Sequence, residues 1–256
     1  HHTSYSRVFI PVLLQRFMKA ERSLETMRVV WLKHDLRLAD HAPLMEAVAH
    51  EDDLLLLYVV EPERLDQPDE SMLHVAWDLA NARTLLARVE ALGGTMHIRT
   101  GRPEQVLQNL QDTSAIVSLH SHEETGLQWS WERDKRVMAW CEANDTVWHE
   151  HPWNGVVRRL TDRDRWNSIR NRRMVEPVLK APDRLPSHSN LTCVDETKGV
   201  FPCYNDLVKT PLEAGEPAAH AWLDSFLSTR FDDYLPTISN PATSPEGSSR
   251  LSAYLT

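Results

Sequence analysis

Two unbroken apolar runs, MRVVWL from Met27 and DLLLLYVV from Asp53, constrain the fold more than any other feature of the chain. A strand with one wet face alternates apolar and polar residues. These runs do not alternate, so both of their faces must be covered. Three further strand-like runs are TMHIRT, SAIVSLHS and TVWHE. Helical patterns lie between them. In KHDLRLADHAPLMEAVAH, residues Ala42, Leu44, Met45 and Val48 fall at helical spacing behind Asp40, read as the cap. SMLHVAWDLANARTLLARVEALGG opens at Ser71 and closes at Gly93-Gly94. Pro103 starts a short helix through Leu110, and WERDKRVMAWCEAN supplies another. Such alternation implies a parallel sheet covered on both faces and joined by right-handed crossovers. The expected fold is α/β: a five-stranded, doubly wound, Rossmann-like sheet over residues 27–150.

Sheets of this kind bind ligands beyond the carboxyl ends of their strands, where the strand order reverses. The loops after the first and fourth strands are therefore the candidate cleft. They carry Lys33, His34, Asp35 and Arg37, then His122, Glu123 and Glu124. No GxGxxG follows the first strand and no GxxxxGK[ST] occurs, so the usual dinucleotide and phosphate-loop signatures are missing. HSHEE (120–124) and HEH (149–151) place imidazoles and carboxylates at neighbouring strand ends. Without a fixed ligand spacing they read as polar residues at a cleft mouth, and no metal is assigned. No positioned nucleophile suggests a hydrolase triad.

Composition narrows the class. The 256 residues are 41% hydrophobic, enough for one large core and part of a second unit. A formal charge of −9 argues against a surface that binds nucleic acid over its whole area. Cys141, Cys193 and Cys203 form no CxxC pair and are read as reduced thiols of a cytoplasmic protein. No apolar run has the length of a membrane span. Residues 1–26 differ in character from the rest of the chain and are read as a tag or upstream extension without fixed structure.

After His151 the chain changes. Residues 158–173 hold seven arginines against Asp162 and Asp164. This stretch could meet a nucleic-acid backbone, but it reads more simply as a solvated face pairing with the acidic domain beside it. The Pro- and Ser-rich segment beyond it shows no sustained period and reads as a connection wrapping a surface. Regular structure returns in EAGEPAAHAWLDSFLSTRFDDYL, where Ala219, Trp222, Leu223, Phe226, Leu227 and Phe231 mark one helical face. The closing segment, EGSSRLSAYLT, clusters hydroxyls and one guanidinium.

Three of these segments resemble the photolyase/cryptochrome family. VVWLKHDLRLADHAPL (29–44) is similar to its opening strand and DLR loop, GEPAAHAWLDSFLSTRFDDY (215–234) to the helix that begins its flavin domain, and SSRLSAYL (248–255) to its TSxLSPYL segment. In the last, Ser248 replaces Thr and Ala253 replaces Pro. The segments occur in the family's order from Met27 onward. The resemblance implies an antenna domain over 27–150, an interdomain linker over 151–211, and the start of an all-helical FAD domain over 212–256, so that the sequence reads as cut at Thr256. It implies that Ser248, Ser249, Arg250, Leu251 and Ser252, with Tyr234, hold the phosphates of FAD. It further implies that an antenna chromophore, a folate or a deazaflavin in many members, takes its ligands from the loops after the strands, where Lys33, His34, Asp35, Arg37, His122 and Glu123 are the antenna or cleft candidates. The Asn-Glu pair expected of a folate site is replaced here by WSWERD (129–134), so the antenna's identity stays open. Damaged DNA is the implied partner of an intact protein, and light-driven splitting of pyrimidine dimers by reduced FAD its implied reaction. The catalytic residues would lie in the part not given. A cryptochrome photosensor without repair activity is the alternative, and a standalone α/β nucleotide-binding module a further one.

Overall fold

The computed structural model describes residues 26–50 and 53–254. The extension expected at the start lies outside the described residues, except that Thr26 begins the first strand. Five strands run parallel: β1 Thr26–Leu32, β2 Asp53–Val60, β3 Thr95–Thr100, β4 Ala115–His122 and β5 Val147–His151. A sixth, β6 Val194–Asp195, comes from the long connection and extends the expected sheet by one edge strand on β3. The order is β5-β4-β1-β2-β3-β6, all pairs parallel.

Both faces are covered, as the apolar runs require. Helices α1 (Ala42–Val48) and α3 (Met72–Ala91) cover the face that carries Val30, Leu32, Leu54, Leu56 and Tyr58. A short turn of helix, α2 (Pro62–Leu65), precedes α3. Helices α4 (Pro103–Gln111) and α5 (Gln128–Ala143) cover the face of Val29, Trp31, Leu55, Leu57 and Val59. Ser71 caps α3, its hydroxyl accepting from His74 N at 3.3 Å. Gly93, at φ +81°, turns the chain beyond the other end, and Gly94 N bonds back to Val89 O.

The cap of α1 differs from the expectation. It is His41, whose Nδ1 accepts from Leu44 N at 3.1 Å. Asp40 instead adopts φ +51° and exchanges hydrogen bonds with the backbone of Leu179, so its carboxylate is spent on the connection.

The arginine stretch also contains a helix, α6 (Trp166–Met174), none of whose residues is buried. Arg158 pairs with Glu123 and Glu150 of the α/β unit, while Arg173 donates to the carbonyls of Asn154 and Val156. Beyond lie α7 (Tyr204–Leu207), α8 (Glu216–Ser225), α9 (Tyr234–Thr237) and α10 (Ser244–Gly247), then a 3₁₀ turn over Leu251–Tyr254. The single apolar face expected along residues 219–231 is broken. From Phe226 to Arg230 the α-helix gives way to a π turn, and along it Leu227 is 61% and Phe231 60% exposed.

Candidate functional site: a cleft over the switch point

Strand order reverses between β1 and β4, so the two loops singled out from the sequence meet there. A cavity of about 130 Å³ is lined by Lys33, His34, Asp35, His122 and Glu123, together with Trp153. It adjoins a larger cleft of about 580 Å³ that takes in His34, Arg37, Trp77, Trp153, Glu216 and Tyr254. His34 is exposed and borders both.

The expected residues divide into floor and rim. Asp35 is floor. It is fully buried, its Oδ1 accepts from Lys33 N at 2.8 Å, and its Oδ2 lies 2.5 Å from His122 Nδ1 and 2.9 Å from His41 Nε2. Burial alone would raise its pKa, but the two histidines outweigh that and hold it well below the usual carboxylate range. Because His41 Nδ1 is already an acceptor, this histidine presents Nε2–H toward the carboxylate. Lys33 is floor as well. Its ammonium donates to Asp134 at 3.0 Å and to His122 O at 3.2 Å, and sits 4.5 Å over the Trp31 ring. Burial lowers its pKa, and its donors are spent inside the protein.

Arg37 and Trp153 form the rim. The guanidinium lies 5.0 Å from the Trp153 ring centre and donates to the carbonyls of Ala39 and Asp40. Glu123 is held by Arg158, and its amide donates to His151 O at 2.7 Å. Below this rim lies a charged layer that the sequence did not reveal. Arg133 is buried and bonds to Glu61, Glu124 and Asp134 at 2.7–2.9 Å.

The far wall comes from the C-terminal segment. Glu216 accepts from Leu38 N at 3.3 Å, from Ala39 N at 3.2 Å and from Arg88 at 2.6 Å, tying α8 to the loop after β1. Trp77 donates to Ala253 O at 2.6 Å and packs against Tyr254. Of the residues expected to hold phosphates, only Leu251 reaches the cleft. Tyr234 packs its ring on Phe226, 5.7 Å away. Arg250 takes φ +55°, donates to Pro245 O and lies over Trp222. Ser249 Oγ accepts from Leu251 N at 3.4 Å, while the Ser248 and Ser252 hydroxyls make no side-chain hydrogen bond among the described residues. The turn thus has unspent donors and a cation beside them, a chemistry that fits a phosphate.

Trp153, Trp77, Glu216 and Tyr254 were not singled out as site residues from the sequence. Glu216 and Tyr254 lie in segments with a sequence signature, the Gly-Glu-Pro at a helix start and SSRLSAYL (248–255), while Trp77 and Trp153 have none that marks them as site residues.

A family model described as DNA photolyase matches residues 28–162, more than half of the chain. A deoxyribodipyrimidine photo-lyase of Thermus thermophilus is 30% identical over 234 residues, 88% of this chain and 50% of that protein. A cryptochrome DASH of Gloeobacter violaceus is 28% identical over 101 residues, 38% of this chain and 20% of that protein. Among solved structures, a cryptochrome of Synechocystis sp. PCC6803 superposes with a TM-score of 0.74 at 18% identity, covering 91% of this chain and 53% of that one. The chain thus spans about half the length of the photolyase it matches. Among the described residues no helix is long and apolar enough to cross a membrane.

Proposed function

The chain belongs to the DNA photolyase family, and on that premise we propose that it supplies the light-collecting half of a cytoplasmic blue-light flavoprotein that splits pyrimidine dimers in DNA. The observation that carries this reading is the cleft of about 580 Å³ over the switch point, walled by Trp77, Trp153 and Tyr254. Flat conjugated ligands are held by such walls, with a few polar groups fixing their orientation. His34 and Arg37 provide those groups, while Asp35, Lys33, His122 and Glu123 hold the loops in place from beneath.

In this proposal residues 27–150 form the antenna domain, 151–211 the linker, and 212–256 the first part of the helical flavin domain. FAD, when bound, supplies the photoexcited electron for ring opening. This chain's own contribution is to bind. Ser248 and Ser252 donate hydroxyls to the diphosphate, Arg250 offsets its charge, and Ser249 and Leu251 shape the turn. Tyr234 borders it.

The test has two arms. Titration of the chain with FAD, a reduced folate and a deazaflavin, followed by quenching of tryptophan fluorescence, should give saturable binding of one of them. Trp153→Ala should weaken that binding about tenfold, the order of one lost stacking contact. Blue light with reduced FAD should then repair thymine dimers when a protein carrying the complete helical domain is used. Absence of binding by all three ligands would remove the antenna assignment, and intact dimers would remove the repair assignment. A second reading, a photosensor that repairs nothing, is favoured by the likeness to cryptochrome DASH. It predicts chromophore binding together with unrepaired dimers.

A further inference from the structure

Away from the cleft, under α1 at the β5 edge of the sheet, three imidazoles converge on one carboxylate. His120 Nδ1 lies 3.1 Å and His151 Nε2 2.6 Å from Glu46 Oε2, and His149 Nδ1 lies 3.0 Å from Oε1. The fold builds this arrangement from parallel pairing. His120 and His149 are register partners on β4 and β5, and His149 and His151 stand two apart on one strand, so all three imidazoles share the face that α1 covers. Strand spacing alone assigns no metal; α1 adds the carboxylate.

We propose that Glu46, His120, His149 and His151 form a binding site for one divalent transition-metal ion of the zinc class. The donors of Glu46, His120 and His149 lie within 4.8 Å of one another, and His151 joins them through Glu46 Oε2. Ligands of a tetrahedral zinc ion stand about 3.3 Å apart, so side-chain rotations close the set. Neutral imidazole with one carboxylate and no thiolate suits Zn²⁺, Co²⁺ or Ni²⁺ rather than Ca²⁺ or Mg²⁺. The rings of His120 and His149 are stacked, 4.7 Å apart at 11°, with both Nδ1 atoms turned to the same carboxylate.

His120 also has the outer partner that metal-binding histidines use. Its Nε2 lies 2.8 Å from Ser118 Oγ, which accepts from Arg28 at 2.9 Å. A hydroxyl serves either tautomer. Without metal, Ser118 donates to Nε2 and His120 Nδ1–H donates to Glu46. With metal, Nε2–H donates to Ser118 and Nδ1 offers its lone pair. Glu46 then gives up its central place and keeps one oxygen as a ligand. The site is open to solvent at the edge, where the side chain of His149 is 38% and that of His151 25% exposed.

The ion would fasten the edge strand β5 to β4 and α1. Titration with Co²⁺ alone, read by visible absorption, should give one equivalent with the intense bands of a four-coordinate site. Zn²⁺ should displace it and raise the melting temperature. His149→Ala and His151→Ala, both partly exposed, should each weaken binding about tenfold or more, the scale known for disturbed metal sites. Glu46→Gln, which preserves side-chain size, should do the same and guards against a misfolded alanine variant. Replacing His1 and His2 should leave this binding unchanged. The proposal is overturned if Co²⁺ does not saturate at one equivalent. It is equally overturned if affinity survives Glu46→Gln and the histidine variants, which would place the ion elsewhere on the chain.

Discussion

Arg133 and Glu61 show how a single buried group carries stability. Two cations, Lys33 and Arg133, face three carboxylates, Glu61, Glu124 and Asp134. The surplus negative charge falls on Glu61. Burial pushes its pKa up to about 7 against the pull of Arg133, and its Oε2 has no hydrogen-bond partner among the described residues. Between its ordinary value and about 7 the folded protein therefore keeps a proton that the unfolded chain has lost. Stability from this group should fall as pH rises through that window and stay level above it, by up to about 1.4 kcal/mol for each pH unit crossed. Denaturation of wild type and Glu61→Gln at pH 5 and pH 8 checks this. Parallel changes in the two proteins would refute it. Arg133→Met should cost about 3–5 kcal/mol by the same measurement, because it strands buried carboxylates. Little of this layer is legible in the sequence. Arg133 sits in an ordinary amphipathic helix pattern, and its partners Glu61 and Glu124 lie 72 and 9 residues away.

At the scale of elements, those with a local pattern match their sequence signatures. The doubly buried strands and the long α3 are announced by continuous apolar runs, a serine cap and a Gly-Gly stop. Ser71→Ala should destabilise by about 1 kcal/mol, measurable as a shift in denaturation midpoint; no change would mean that α3 is fixed by packing alone. Elements defined by distant partners leave no such signature. β6 is two residues held by the backbone of His97 and Ile98, with no pattern of its own. Helix α6 buries nothing, so no apolar period marks it. The cap of α1 falls one residue beyond the expected Asp40 because Asp40 answers to Leu179, 139 positions on.

For the molecule as a whole, the expected doubly wound sheet made the cleft's floor predictable, since such sheets reverse their strand order beside the first strand, as β4-β1-β2 does here. Its far wall was not, because Trp77, Glu216 and Tyr254 arrive from separate regions. Glu216→Ala should uncouple that wall. It leaves the amides of Leu38 and Ala39 without their acceptor, at a cost of about 1–3 kcal/mol. The chain between α7 and α8 should also become more readily cut by protease, and unchanged cleavage would count against the coupling. This tie spans 177 and 178 residues and so has a consequence in time. A ribosome delivers all five long strands before it reaches Glu216, and domains assemble as they emerge. The scaffold can be finished while the cleft proposed to hold a chromophore is still half-made. Nascent chains arrested before Glu216, but with His151 already clear of the ribosome, should then resist protease over the sheet and, on the function proposed above, capture no chromophore.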